Sequence, residues 1–395
     1  MSSDEKQADK INIFDPAVAA CPHATYRRLV DEQPVMRAPF TNSPIISRYE
    51  DVLFALRHPE IFSSEMAEQM GLGTVRPMIP QQIDPPDQTR YRKILDPQFS
   101  RKRMAALEPA IRADAGALID GFVEAGECEL NGQFSIPLPC NAFLHLMGLP
   151  LEDLDLFLEL KDGIIRPHSE SGDMEEMARV RAESGQRIYA YFEDVIAERR
   201  RTPRDDMMGY LMGAEIEGQK LSDNELLDIC YLFLLGGLDT VTATIGCSIA
   251  YLATNPEQRR KIIEHPDKID SAIEELLRWE TPVTGVPRLV KQDCEIAGFE
   301  IKAGEMVMLM LGAANLDPRE FDDADVMDLD RERNRQIAFG SGPHRCLGSH
   351  LARMELRVAL EEWHKRIPEY QIKPGETPTY SIGIREVQYL PLVWS

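Results

Sequence analysis

The sequence predicts a mainly α protein with small, scattered β-sheets, and three observations carry that prediction. Between about residues 101 and 277 nearly every segment reads as helix, with Pro and Gly as the stop signals. Strand-like runs are short and confined to residues 44–49, 295–301, 306–311 and 387–393, near the two ends of the chain. The 395 residues are 43% hydrophobic and 28% charged, which fits neither a disordered nor a fibrous class. No repeat, low-complexity tract or long Gly/Ser linker marks a boundary among them, and the length allows two or so domains or one large one.

Taken in order, the first ten residues are charged and lack the apolar stretch of a secretory signal. Residues 44–49 form the first expected strand. The segment from Arg90 to Arg103 gathers Arg90, Arg92, Lys93, Arg101, Lys102 and Arg103 against the single acid Asp96. Such a run reads as a solvated helix face or as a docking patch for an acidic partner.

The most informative helix starts at Ser222, where Ser222 and Glu225 form a capping box. From there to Ala253 the chain is apolar almost all round before Asn255-Pro256 stops it, about 28 residues or ~42 Å of core helix. In its centre lies Leu235-Gly236-Gly237-Leu238-Asp239-Thr240. Two glycines cost about 1 kcal/mol each relative to alanine in a helix, and a buried Asp costs more unless paired. A kink or a close helix crossing explains the glycines, and so does a ligand lying against bare backbone with Asp239 and Thr240 beside it.

The strands at 295–301 and 306–311 follow, then residues 339–348, Phe-Gly-Ser-Gly-Pro-His-Arg-Cys-Leu-Gly, which open a helix over 349–366. The third glycine of a dinucleotide fingerprint is replaced here by Arg345. Cys346 stands at a helix amino terminus beside His344 and Arg345, where dipole and positive charge favour thiolate. Taken alone, it reads as a reactive or a structural cysteine. The last expected strand, 387–393, closes the chain.

Composition narrows the function classes. With 66 acidic against 44 basic residues, the formal charge of −22 argues against nucleic acid and anionic membranes as partners. The longest strongly apolar run, residues 229–238, is half the ~20 needed to span a bilayer. Seven dispersed cysteines without C-x-x-C spacing fit a reducing cytoplasm better than a disulfide framework.

The stretch 339–348 resembles the F-x-x-G-x-x-x-C-x-G signature of the cytochromes P450. Glu275-Leu276-Leu277-Arg278 is similar to the family's E-x-x-R pair, with Arg331 as the third member of that buried network. The likeness runs from Asp84-Pro85-Pro86 to the terminal Leu390-Pro391-Leu392-Val393-Trp394 and is strongest to soluble bacterial members of the camphor monooxygenase branch. It implies a single triangular helical heme domain over residues 1–395, cytoplasmic and monomeric, with heme b (iron protoporphyrin IX) as cofactor.

By this resemblance Cys346 is the axial thiolate. Phe339, Gly340, Gly348 and Gly236 lie against the heme, and Arg92, Arg288 and His344 neutralise its propionates. Gln88 stands where many members have His and could still bond a propionate; Gln336 replaces another His. Asp239 and Thr240 are the acid–alcohol pair that delivers protons. Leu232, Leu235, Val283, Thr284 and Ile384 form the substrate wall. Arg76 replaces the tyrosine that contacts the camphor enzyme's ketone, so a different ligand is expected.

The implied activity is monooxygenation of a compact hydrophobic substrate, a terpenoid or norisoprenoid before a steroid or fatty acid, using O2. With no fused flavin or iron–sulfur segment in the sequence, electrons are expected from a [2Fe–2S] ferredoxin and its reductase. A peroxide-dependent hydroxylase and a non-catalytic heme sensor are the alternatives.

Overall fold

The computed structural model describes residues 11–13, 15–66, 71–169, 172–381 and 383–395. It is 54% helical, and its sheets have two to five short strands, as the sequence predicts. The central helix is Asp223–Thr254. Ser222 Oγ accepts the Glu225 N–H at 3.3 Å, while Glu225 Oε2 accepts the Ser222 N–H at 2.7 Å, so the capping box is complete. Pro256 opens the next helix and ends this one. Its best 18-residue window has a mean hydropathy of 1.6 and is long and apolar enough to cross a membrane, but 72% of that window is buried in protein.

That burial comes from helices Pro137–Met147, Met174–Arg201, Ile269–Glu280 and Ser349–Arg366, which pack around the central helix. Trp363, Phe134 and Tyr231 are among the largest fully buried side chains there. Each large apolar side chain contributes about 1.5–3 kcal/mol on burial.

The largest sheet has five strands in the order Val35–Arg37, Pro44–Ile46, Met306–Leu309, Val286–Val290, Phe62–Ser63. Met308 pairs in parallel with Ile45, and Val307 pairs antiparallel with Arg288. This register places Arg288 midway along the fourth of the five strands.

Several strands are shorter than the sequence suggests. Residues 44–49 stop being strand at Ile46, and helix Tyr49–Arg57 begins where the Asp317 carboxylate accepts the Tyr49 N–H at 3.0 Å. Residues 295–301 form a hairpin, Cys294–Ile296 with Phe299–Ile301, because Ala297 and Gly298 take φ of 49° and 80°. Met306–Leu309 gives way to the small-residue helix Leu311–Ala314. The terminal run divides at Leu390: Val387–Tyr389 pairs with Thr379–Tyr380, and Pro391–Val393 with Gln371–Ile372 and Glu127–Glu129.

Two β features inside the helical region were not expected, Glu127–Glu129 and the hairpin of Glu215–Ile216 with Gln219–Lys220. Their polar letters carry no strand signature. The first is held by a partner more than 260 residues away, and the second by a turn at Glu217 and Gly218 with φ of 54° and 81°.

The Glu275–Arg278 pair is fully buried, with Arg278 Nη2 2.7 Å and Nε 2.8 Å from the two carboxylate oxygens. Arg331 Nε reaches the same carboxylate at 3.0 Å. Arg278 also donates to the carbonyls of Asn315, Ala324 and Val326, and Asn334 and the Asp328 N–H donate to Glu275. Every hydrogen-bonding group of the pair is met, the condition under which a buried ion pair is tolerable. It ties the helix Ile269–Glu280 to the chain leading into the cysteine loop.

Candidate active site

The loop before Ser349–Arg366 is shaped by its own backbone. The Cys346 N–H donates to Phe339 O at 2.8 Å, and the Gly340 N–H to Ile337 O at 2.8 Å. Gly340 and Gly342 have φ of 66° and 68°, a region that favours glycine. At Gly342 a Cβ would also lie 2.3 Å from Leu56 O, so the loop backbone is pressed onto helix Tyr49–Arg57. Gln336 braces the approach, donating to Glu274 at 2.9 Å and accepting the Ala338 N–H at 2.7 Å. Gln88 donates to Pro343 O at 2.6 Å, so its amide holds the loop itself.

Cys346 is solvent-accessible, yet protein surrounds it deeply enough for burial to push its thiol up. A side chain with both properties faces an internal hollow. The Gly348 N–H and the guanidinium groups of Arg92, Arg345 and Arg353 act against burial and favour thiolate. Arg353 is fixed over the Phe339 ring at 4.4 Å and donates to Glu274 at 2.9 Å.

Glycines border the hollow. A Cβ added at Gly340, Gly348, Gly236 or Gly237 would meet no heavy atom within 4 Å. The central helix continues through Gly236 and Gly237, and nothing packs where their Cβ atoms would stand, so a close helix crossing does not explain these glycines. Thr240 Oγ1 donates to Gly236 O at 3.3 Å, and Asp239 is buried beside it. Asp239 Oδ1 accepts from Lys161 Nζ at 2.7 Å and from Arg166 Nη1 at 3.4 Å, while Oδ2 has no partner among the described residues. Arg166 is also paired with Glu386.

A cationic edge completes the site. Arg288 is 8% exposed, and burial lowers its guanidinium to about 10. Its side chain donates to the neighbouring Pro287 O at 2.7 Å. Burial, then Arg288 and Arg92, lower the His344 imidazole to about 3, and its buried Nε2 has no hydrogen-bond partner among the described residues. The nearest carboxylate, Asp84, lies 4.0 Å from that nitrogen and accepts from Ser63 Oγ and the Ser64 N–H. Arg92 bonds Asp96 at 2.7 Å and donates to Arg345 O at 2.8 Å. Arg288, a buried cation bonded only to a carbonyl, and the neutral His344 with a buried ring nitrogen to spare suit anionic or hydrogen-bonding ligand groups, with the paired Arg92 beside them. Thiol, bare backbone and cations together fit a planar group with a metal centre and a carboxylate edge, as heme b is.

The expected substrate wall separates into two parts. Leu232 and Leu235 are half-buried on the central helix, in i, i+3 register with each other and, through Gly236, with Asp239. Val283 and Ile384 are bridged antiparallel, and Thr284 Oγ1 donates to Gly383 O at 2.9 Å. These three line a cavity of about 310 Å³ shared with Tyr26, Met308 and Met310.

In the basic segment Arg90 is paired with Asp87 and Glu217 and Arg92 with Asp96, which leaves Lys93, Arg101, Lys102, Arg103 and nearby Arg345 as exposed cations. Sequence reasoning missed Lys161, Arg166 and Glu386. A lysine buried at 3% and two charged side chains from distant segments carry no local pattern that would have found them.

A cysteine on a glycine-bordered hollow with a cationic edge defines a heme-thiolate protein. Residues 169–366 match the family model described as Cytochrome P450. The chain is 35% identical to "Probable cytochrome P450 127A1" of Sinorhizobium fredii, covering 96% of this chain and 90% of that one. It is 34% identical to the mycinamicin IV hydroxylase/epoxidase of Micromonospora griseorubida, covering 93% and 94%. Its fold matches the crystal structure of CYP109E1 from Bacillus megaterium in complex with testosterone, with a TM-score of 0.87, 28% identity and coverage of 96% and 99%. The chain belongs to the cytochrome P450 family, heme b monooxygenases that use O2 and redox partner proteins.

Proposed function

We propose that the whole chain is one heme domain that hydroxylates a compact hydrophobic substrate with electrons from a [2Fe–2S] ferredoxin and its reductase, as a cytoplasmic monomer. The observation that carries the site assignment is the accessible Cys346 set among glycines whose Cβ positions are open. Cys346 would hold the iron, with Phe339, Gly340, Gly348 and Gly236 against the ring and Arg288, Arg92 and His344 toward the propionates. Heme b bound here would supply the redox chemistry that puts one atom of O2 into a C–H bond and releases the other as water.

The chain's own residues do the rest. The capped central helix places the Thr240 hydroxyl next to bare backbone, where it can turn from Gly236 O toward the hollow. Asp239 holds a proton-accepting oxygen free at Oδ2 and is supplied from the Lys161 and Arg166 side. Leu232 and Leu235 keep bulk water from that face, which limits loss of O2 as peroxide. The acid–alcohol pair favours O2-driven turnover over the peroxide-dependent and sensor alternatives.

Both parts of the expected wall are apolar, Leu232 and Leu235 on the central helix and Val283 and Ile384 at the separate bridge, which favours a terpenoid or norisoprenoid. A steroid is the second reading, supported by the testosterone-bound relative. The test is the carbon monoxide difference spectrum of the reduced protein, then a screen of both substrate classes for the heme spin-state shift. A thiolate-type band that Cys346→His moves to the histidine-ligated position supports the site. A histidine-type band in the unaltered protein refutes it.

A further inference from the structure

The proton-delivery residue Asp239 is held by cations that are themselves shared. Lys161 Nζ lies 2.7 Å from Asp239 and 3.0 Å from Asp162. Arg166 Nη1 lies 3.1 Å from Asp162 and 3.4 Å from Asp239, while its Nη2 is paired with Glu386. Asp239, Lys161 and Glu386 are nearly fully buried, at 1%, 3% and 4% exposure. The Glu386 pair is closer than the Arg166–Asp239 contact.

From this geometry we infer that Glu386 is a positioning residue for proton delivery: by holding Arg166 it keeps that guanidinium from closing on Asp239 Oδ2. The inference rests on the reading of Asp239 as the proton relay. Glu386 comes from the segment joining the Val283–Ile384 bridge to strand Val387–Tyr389. Arg166 caps helix Leu154–Ile165, and Asp239 comes from the central helix, so three separate elements meet at one guanidinium. Burial and the Asp239 charge raise the Glu386 carboxyl, and Arg166 and Lys161 lower it, so its charge is supported mainly by the cations it shares with Asp239. Removing that charge frees Arg166 to make a two-pronged bond to Asp239, which has one carboxylate oxygen unpartnered. In the parent both cations sit on Oδ1; a carboxylate held on both oxygens has none left to accept a proton and turns away less readily to meet Thr240.

The test compares the holoenzyme with Glu386→Gln, Glu386→Asp and Asp239→Asn. Crystal structures report where Arg166 sits. Dioxygen consumption driven by a plant-type [2Fe–2S] ferredoxin and its reductase, in H2O and in D2O, reports proton transfer without a known substrate. In Glu386→Gln we expect Arg166 on both oxygens of Asp239, consumption slower on the order of tenfold and a larger solvent isotope effect. Glu386→Asp is expected to recover most of the rate, and the melting temperature of either variant is expected to stay close to that of the parent. Unmoved Arg166 with unchanged consumption in Glu386→Gln, while Asp239→Asn is slow, overturns the role of Glu386 alone. An unaffected Asp239→Asn overturns the relay reading and this inference with it. Destabilisation of Glu386→Gln that Glu386→Asp does not repair makes the pair purely structural and also overturns it.

Discussion

At the scale of single residues, the glycines are the clearest test of what the hollow is for. Gly236 sits mid-helix, where glycine is about 1 kcal/mol worse than alanine, and a Cβ there would touch nothing within 4 Å. The heme-free chain should therefore be stabilised by Gly236→Ala, by up to about 1 kcal/mol in urea unfolding. The same methyl group intrudes on the space the cofactor and O2 need, so heme content after reconstitution should fall. Equal heme content and a stabilised apoprotein would mean that the open space at Gly236 is not used. The glycine pair and Cys346 were legible in the sequence because each is costly or unusual where it stands. Lys161, Arg166 and Glu386 were not, because their roles exist only once three distant segments bring their charges together. Gln88 was read from the sequence as a propionate donor, and in the fold its amide donates to the Pro343 carbonyl of the cysteine loop.

Between elements, ion pairs decide how the long helices are joined. Glu108, at the start of Glu108–Asp120, bonds Arg112 at 2.8 Å and reaches Arg357 of Ser349–Arg366 at 2.7 Å. The bonds from Arg357 and Arg112 lower its carboxyl to about 2. A folded-state value below the unfolded one, about 4.5, means stability that is full above that pH and is lost as pH falls toward 2. Because these side chains are a quarter to a third exposed, solvent screens the pair and only part of the shift becomes stability. Glu108→Gln should therefore cost about 1 kcal/mol at pH 7, with the difference from the parent narrowing steadily from pH 4.5 downward. Urea melts at pH 7 and pH 3 measure it, and a pH-independent difference would mean that packing, not charge, holds the two helices. The long elements were read well from sequence: the central helix by its cap and stop, and Ser349–Arg366 with its ends at the predicted residues. The short strands were not, since pairs such as Pro391–Val393 with Glu127–Glu129 depend on a partner far along the chain.

Across the whole molecule the net charge of −22 conceals a local reversal of sign. Arg90 and Arg92 are neutralised by Asp87, Glu217 and Asp96, so the basic run is weaker than its letters suggest. What remains exposed is Lys93, Arg101, Lys102, Arg103 and, next to Cys346 in the chain, Arg345. Arg92 joins this group to the cysteine loop through its bond to Arg345 O, so these cations lie on the Cys346 side of the site. An acidic ferredoxin would be repelled by most of this surface and drawn to that face, which orients its approach toward the cysteine. Lys93 and Lys102 are better probes than Arg92, whose guanidinium also holds the loop. Lys93→Glu and Lys102→Glu should each slow single-turnover reduction by a [2Fe–2S] ferredoxin severalfold at low ionic strength, with the spin-state titration of substrate unchanged. Raising the salt shortens the Debye length, to about 10 Å at 0.1 M, so parent and variants should converge as the parent slows. A parent rate that is indifferent to salt, or variants as fast as the parent, would mean that the electron donor docks elsewhere or is not acidic.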